Sequence, residues 1–216
     1  PIVGEIGTST QNAYLKPSKA FIMYFSRLNK PLINFSFFMK RIIILCTIAL
    51  FSQTSFAQYS QNFDTLTVGD YIGVKDPQWT TWSGTVGGAE DAQVNAAQAN
   101  SGNNSIYFNS TSANGGPQDA VLEFGGAFNT GDFVFEKSLY IESGKGAYFN
   151  FQAEAVIGTT WALDCQFVND SMMYISYQGT EAYSGTYPVG TWFDFKLVVD
   201  LNTNTWELLI DNVSKA

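Results

Sequence analysis

The chain has 216 residues, no histidine, two cysteines and a formal net charge of −8 at pH 7. Without histidine, Ser-His-Asp and Cys-His nucleophile pairs and the usual zinc sites are excluded, so an enzyme would have to use carboxylates, tyrosine or lysine. The acidic balance repels phosphate backbones and argues against nucleic acid as a partner.

The first 38 residues show no sustained hydrophobic period. They mix a polar stretch, Gly7-Thr8-Ser9-Thr10, with an aromatic run, Phe35-Ser36-Phe37-Phe38. We expect residues 1–38 to form a disordered or loosely helical extension, or to be untranslated sequence upstream of a true start at Met39. A longer signal segment that starts at Met23 is the alternative.

Residues 39–57 have the order of parts that a secretory signal needs. Met39-Lys40-Arg41 is a cationic start, Ile42–Phe51 is an apolar core, and the small residues up to Ala57 form a cleavage site. A membrane-spanning helix needs about 20 apolar residues, so this shorter core predicts a cleaved signal. We therefore expect a protein that is secreted, extracellular or at the cell surface, with no stable membrane anchor after cleavage.

The predicted mature segment, 58–216, has the size of one domain. It holds five lysines, no arginine and 18 acidic residues, a formal net charge of −13. Such a surface suits uncharged glycans or bound cations, although solubility explains it equally well. Only Cys165 remains after cleavage, so an intrachain disulfide is impossible, and a lone cysteine is most often a small buried apolar residue.

Aromatic and β-branched runs recur between clusters of Gly, Asn, Ser and Asp, which predicts an all-β fold, an antiparallel β-sandwich. No long amphipathic helix is evident. The predicted strands are Ser60–Phe63, Trp79–Trp82, Ser105–Phe108, Ala120–Phe124, Phe133–Ile141, Gly146–Ala153, Thr160–Val168, Met172–Gln178, Trp192–Asp200 and Thr205–Ile210.

Alternation of side chains assigns faces to these strands. Phe149 and Phe151 point one way, and alternation in the next strand puts Trp161 on the apolar face with Leu163 and Cys165. The opposite, polar face collects Tyr148, Asn150, Gln152, Asp164 and Gln166.

Four segments carry a resemblance to a known class of domain. In chain order they are Asn62-Phe63-Asp64, Trp79–Ser83, Ala99–Ile106 and the late pair Phe193–Asp200 with Trp206–Asn212. Together they resemble secreted jelly-roll domains of the concanavalin A-like and carbohydrate-binding-module type, as in multidomain type IX secretion exports. Because the chain stops soon after a strand, we expect a domain truncated at its C-terminus, with further domains of the same parent chain as partners.

The polar face is the first candidate site. Sugars bind by stacking on aromatic rings and by hydrogen bonds to amides and carboxylates, so a glycan or polysaccharide is the expected ligand. An ordinary solvated sheet face is the alternative. Trp79, Tyr183 and Tyr187 are further candidates for a stacking platform, although large aromatics mostly fill cores. The predicted ligand-binding residues are Tyr148, Asn150, Gln152, Asp164, Gln166, Glu136 and Trp82.

A structural Ca²⁺ is implied by the resemblance alone. Jelly-roll modules hold one with ligands from the first and last strands, and Asp64 and Asp211 match those places. Calcium needs about 6–8 oxygen ligands, so two carboxylates are a weak signal. The alternative is that both residues cap turns at strand ends.

The sequence favours a non-catalytic, secreted carbohydrate-binding or accessory module. A structural or adhesive extracellular domain without a glycan site is one alternative. A glycoside hydrolase or lyase of the concanavalin A-like fold is another. A hydrolase needs two carboxyl groups about 5–9 Å apart, and the Glu-x-Asp-x-x-Glu pattern of family-16 glucanases does not occur. Glu136 with Glu142, and Glu154 with Asp164, are loose pairs only.

Overall fold

A computed structural model of the chain describes residues 3–5, 11–16, 59–110, 112, 115–126 and 128–216, the first two ranges by their backbone alone. The described strands pair antiparallel throughout, as two large sheets packed face to face and one small sheet, so the predicted antiparallel β-sandwich is confirmed. The predicted signal segment, 39–57, with its cleavage site after Ala57, lies outside the described residues.

The described elements follow in chain order. They are β1 (Val3–Glu5), β2 (Gln11–Lys16), β3 (Tyr59–Gln61), the helical turn α1 (Ile72–Lys75), β4 (Trp79–Thr81), β5 (Gln93–Asn95), β6 (Ser105–Tyr107), β7 (Ala120–Leu122), β8 (Asp132–Tyr140), β9 (Ala147–Gln152), β10 (Trp161–Phe167), β11 (Met172–Tyr177), β12 (Thr180–Thr186), β13 (Trp192–Asp200), β14 (Thr205–Ile210) and β15 (Val213–Ser214).

Within the described residues, the larger sheet has seven strands in the order β12-β11-β10-β9-β1-β7-β4. The other large sheet has six, in the order β15-β14-β13-β8-β2-β3, and β5 pairs with β6. β1 and β2 come from the N-terminal extension, and each lies between two strands of the later chain. The rest of residues 1–38, for which we expect disorder or loose helix, lies outside the described part.

Each of the ten predicted strands overlaps a described strand, while β1, β2, β5, β12, β15 and α1 were not predicted. β12 is polar and mostly exposed, because it is the edge strand of the seven-stranded sheet. Edge strands have one unpaired side and carry more polar residues. Their sequences therefore give a weak strand signal.

Aromatic rings join the two sheets through the core. The rings of Phe135 and Phe151 meet edge to face at 5.0 Å between centroids, and those of Phe149 and Phe195 at 5.1 Å. Edge-to-face pairs stabilise beyond the burial of their area. Cys165 is buried in this core, as predicted.

One charged residue also belongs to the core. Lys137 shares the inner face of β8 with Phe135 and is fully buried. Its Nζ lies 3.2 Å from the centroid of the Phe149 ring, in a cation–π contact. Burial raises the pKa of the Cys165 thiol, and the positive charge of Lys137 acts against that rise.

A buried aspartate fixes the loop that carries Trp82. Asp91 is 1% exposed, and its two carboxylate oxygens accept hydrogen bonds from the backbone N–H groups of Gly73 and Gly87, at 3.1 and 2.8 Å. The backbone N–H of Trp82 donates to the backbone carbonyl of Asp119 at 3.0 Å. The start of this loop is thereby tied to the edge of the seven-stranded sheet.

Candidate functional site

A chain of hydrogen bonds crosses the outer face of the seven-stranded sheet. The Gly158 N–H donates to Gln152 Oε1 at 3.0 Å, and Gln152 Nε2 donates to Asn150 Oδ1 at 2.6 Å. Asn150 Nδ2 donates to the Tyr148 hydroxyl at 3.2 Å, and that hydroxyl donates to Asp164 Oδ1. We call these five residues the polar relay.

Strand period and register explain why these side chains meet. Tyr148, Asn150 and Gln152 alternate with buried aromatics on β9, so all three point outward. Asn150 pairs with Asp164 across β9 and β10, which places the carboxylate beside the Tyr148 side chain. The relay runs from buried amides, Asn150 and Gln152 at 2% exposure each, to Tyr148 at 48%.

Two tryptophans lie at one end of this face. The rings of Trp82 and Trp161 stack with centroids 6.3 Å apart and planes 30° apart. The pairing of β10 with β9 shifts register between Trp161 and Leu163, as in a β-bulge. Trp161 therefore pairs with Gln152 on the outer face, and our prediction that it shares the apolar face of Leu163 is wrong.

The loop between β9 and β10 supports both the relay and the tryptophans. Gly158 has a φ of +79°, and a Cβ built there would lie 2.7 Å from the Trp82 ring. Only glycine combines this backbone conformation with such close approach of a ring. Gly158 thus donates to Gln152 and also lets Trp82 pack on the loop.

Tyr148, Asp164 and Trp161 border an open cleft of about 610 Å³, within the range of small-molecule sites. Thr159 and Thr160 contribute the β9–β10 loop, and Gln178 and Gly179 contribute the β11–β12 turn. Sequence reasoning missed them because turns come together only through strand pairing. The lining residues are Tyr148, Thr159, Thr160, Trp161, Asp164, Gln178 and Gly179.

Most of the predicted ligand-binding residues lie together. Four of them belong to the polar relay, and Gln166 is exposed on the same face, paired with Tyr148. Trp82, 39% exposed, does not line the cleft itself but stacks on Trp161, which does. The four relay members of the predicted set are Tyr148, Asn150, Gln152 and Asp164.

Glu136 does not join this group. It lies on β8, on the outer face of the six-stranded sheet, which points away from the polar relay. Its Oε2 is 3.2 Å from the Nζ of Lys196, its cross-strand neighbour on β13. The prediction that Glu136 joins the polar face of β9 and β10 is wrong, because its strand belongs to the other sheet and the sequence could not assign strands to sheets.

Two further aromatics do not form a loop platform. Trp79 and Tyr187 are 2% and 4% exposed and belong to the core. Trp79 Nε1 donates to the Tyr59 hydroxyl at 2.6 Å, and the Tyr187 hydroxyl donates to the Val168 carbonyl at 2.7 Å. Each polar group thus has a partner inside the fold, as buried Trp and Tyr require.

The two predicted calcium ligands both accept hydrogen bonds from backbone N–H groups. Asp64 Oδ1 accepts from Asn103 and Asn104 at 2.8 and 3.1 Å, and Asp211 Oδ1 accepts from Asp194 at 2.9 Å. Among the residues that the structure describes, no group of three or more His, Cys, Asp and Glu side chains could hold a metal ion. The calcium site stays a prediction.

No protein-family model, curated protein or solved structure matches the chain. In the described ranges, no helix has the length and apolar character needed to cross a membrane. The assignment of a function therefore depends on the chemistry of the cleft.

Proposed function

We propose that this protein is a secreted, non-catalytic carbohydrate-binding module and that a glycan occupies the cleft beside Trp161 and Asp164. The proposal depends on one observation: Trp161, which is held by its stack on Trp82, and the carboxylate end of a hydrogen-bonded polar chain line the same open cleft. A sugar has an apolar ring face and a rim of hydroxyl groups, so it matches both parts.

Preorganisation supports this proposal. Asn150 and Gln152 are buried, and each holds its neighbour in the relay, so the Tyr148 hydroxyl and the Asp164 carboxylate keep their orientation without a ligand. Side chains that are already ordered lose less conformational entropy on binding. The resemblance of four sequence segments to carbohydrate-binding modules points to the same ligand class.

Binding is tested with the full chain on an array of oligosaccharides. We expect selective binding to a small group of related glycans, lost on Trp82→Ala and on Tyr148→Ala. Glu136→Gln, on the other sheet, should bind as the wild type does and is the matched control. An array with no bound glycan would overturn the proposal and favour a structural or adhesive domain.

Secretion has a separate test. N-terminal sequencing of protein exported from its native cells should find Gln58 as the first residue. A first residue before Met39 would contradict both the signal segment and the proposed start.

A further inference from the structure

All the hydrogen bonds of the polar relay run in one direction, toward Asp164. A tyrosine has one O–H, and that of Tyr148 is donated to Asp164 Oδ1. A carboxylate only accepts hydrogen bonds. At this end of the cleft, a ligand group that meets the Asp164 carboxylate must therefore be a donor, such as a hydroxyl.

The charges around the cleft also disfavour an anionic ligand. None of the lining residues is a lysine or arginine, and a second carboxylate, Glu154, accepts from the Thr160 hydroxyl at 2.9 Å beside the cleft. Lys196 is paired with a glutamate on the other sheet, and Lys137 lies in the core. An anionic ligand would meet negative charge with no lysine among the lining residues to offset it.

We infer that the cleft selects neutral, hydroxyl-bearing glycans against uronates and sulfated sugars, and that Asp164 is the residue that sets this selectivity. This inference rests on the proposed function and adds the ligand class and the residue responsible. The Asp164 carboxylate accepts from a sugar hydroxyl and repels a sugar carboxylate or sulfate at the same place.

The test uses the full chain and a matched pair of ligands. One is the neutral oligosaccharide with the strongest array signal, and the other is the same oligosaccharide with its primary hydroxyl groups oxidised to carboxylates. Calorimetry should show that the wild type binds the neutral form about tenfold more tightly or better. The preference should weaken as salt screens the charges.

Asp164→Asn keeps the shape and the acceptor for Tyr148, removes the charge and adds an N–H donor. We expect it to keep most of the affinity for the neutral glycan and to reduce the preference to about threefold or less. Glu136→Gln makes the same charge change on the other sheet and should leave the preference intact. An unchanged near-ultraviolet circular dichroism spectrum of the tryptophan pair checks that Asp164→Asn folds.

The outcomes separate the two proposals. If the wild type binds both forms equally, or if Asp164→Asn keeps the full preference, the selectivity inference is wrong and glycan binding stands. If Asp164→Asn and Glu136→Gln reduce the preference equally, overall charge is responsible and the role of Asp164 is refuted. If neither form binds to any variant, both proposals are refuted.

Discussion

The two large sheets present outer faces that look alike in sequence and differ in structure. Each carries a carboxylate and a tryptophan at outward positions: Asp164 and Trp161 on one sheet, Glu136 and Trp192 on the other. On the six-stranded sheet, Glu136 pairs with Lys196, and Trp192 packs on Tyr140 at 5.6 Å. Both pairs join β8 to β13, within the sheet itself.

On the seven-stranded sheet, the partners come from loops. Trp161 stacks on Trp82, which follows β4 at the far edge of the sheet, and the relay begins at Gly158 in the β9–β10 loop. Loops add the walls that turn a flat polar face into a cleft. Outward polar residues therefore suggest a site only where loops pack over the strands.

The largest expected difference is between Trp161→Ala and Trp192→Ala, which each remove one tryptophan from the outer face of one sheet. Removing a large apolar contact surface costs about 1.5–3 kcal/mol, so Trp161→Ala should weaken glycan binding by about ten- to hundredfold. Trp192→Ala removes the same side chain from the other face and should leave the affinity within about twofold. Calorimetry with the best array ligand measures both. Equal losses would abolish the distinction between the faces.

A smaller effect should follow from breaking the relay at Gln152, which is 2% exposed. In Gln152→Glu the carboxylate still accepts from Gly158 but cannot donate to Asn150. A buried group left without its partner costs about 1–3 kcal/mol, so we expect binding to fall by about tenfold together with a lower melting temperature. Gln166→Glu, exposed on the same face, is the control and should bind within about threefold of the wild type. A larger loss there would mean that charge and not relay geometry is responsible.

The buried thiol of Cys165 should make the free energy of unfolding depend on pH in the alkaline range. Burial raises the pKa of Cys165 on the seven-stranded sheet well above its ordinary value. Below about pH 8.5 the thiol is protonated in both states, and above it the unfolded chain loses the proton while the folded chain keeps it. The free energy of unfolding should therefore fall by up to about 1.4 kcal/mol per pH unit.

Urea unfolding at about pH 7 and about pH 9.5, on either side of the pKa of the thiol in the unfolded chain, measures this fall. Cys165→Val should remove the part that begins near pH 8.5. Burial and the hydrogen bond to Asp76 also raise the pKa of Tyr59, so a further fall should begin near pH 10. A third measurement at about pH 11 should show this fall in the wild type and not in Tyr59→Phe. A pH dependence that Cys165→Val leaves unchanged would contradict the first assignment.

A still smaller effect is expected from the ion pair on the six-stranded sheet. Lys196 and Glu136 are both partly exposed, and such pairs contribute at most about 1 kcal/mol. Lys196→Met should lower the free energy of unfolding by no more than that and leave glycan binding unchanged. Loss of binding in this variant would show that the six-stranded face takes part in recognition.

Thermal melting with and without calcium tests the predicted metal site at Asp64 and Asp211. If Asp64 and Asp211 hold calcium, as the resemblance implies, replacing chelator with calcium raises the melting temperature of the wild type. Asp64→Asn and Asp211→Asn should each abolish that rise. A wild-type melting temperature that is the same in calcium and in chelator would eliminate the site.

The amino-acid sequence by itself determined most of the strands after residue 58 and, away from the bulge in β10, the direction in which their side chains point. Alternation over β9 is a local property with a period of two residues, so Phe149, Phe151 and the polar Asn150 were assigned correctly. For the same reason, four of the predicted ligand-binding residues lie in one hydrogen-bonded chain. The polar edge strand β12 and the short strand β5 give too weak a local signal.

Only the tertiary structure decided which faces and loops come together. A bulge in β10 reverses Trp161 relative to Leu163, and Gly158 gives the space in which Trp82 meets it. Glu136 lies apart because β8 belongs to the six-stranded sheet. Alternation relates a side chain to its own strand, whereas sheet membership, register shifts and loop packing depend on pairing between distant segments.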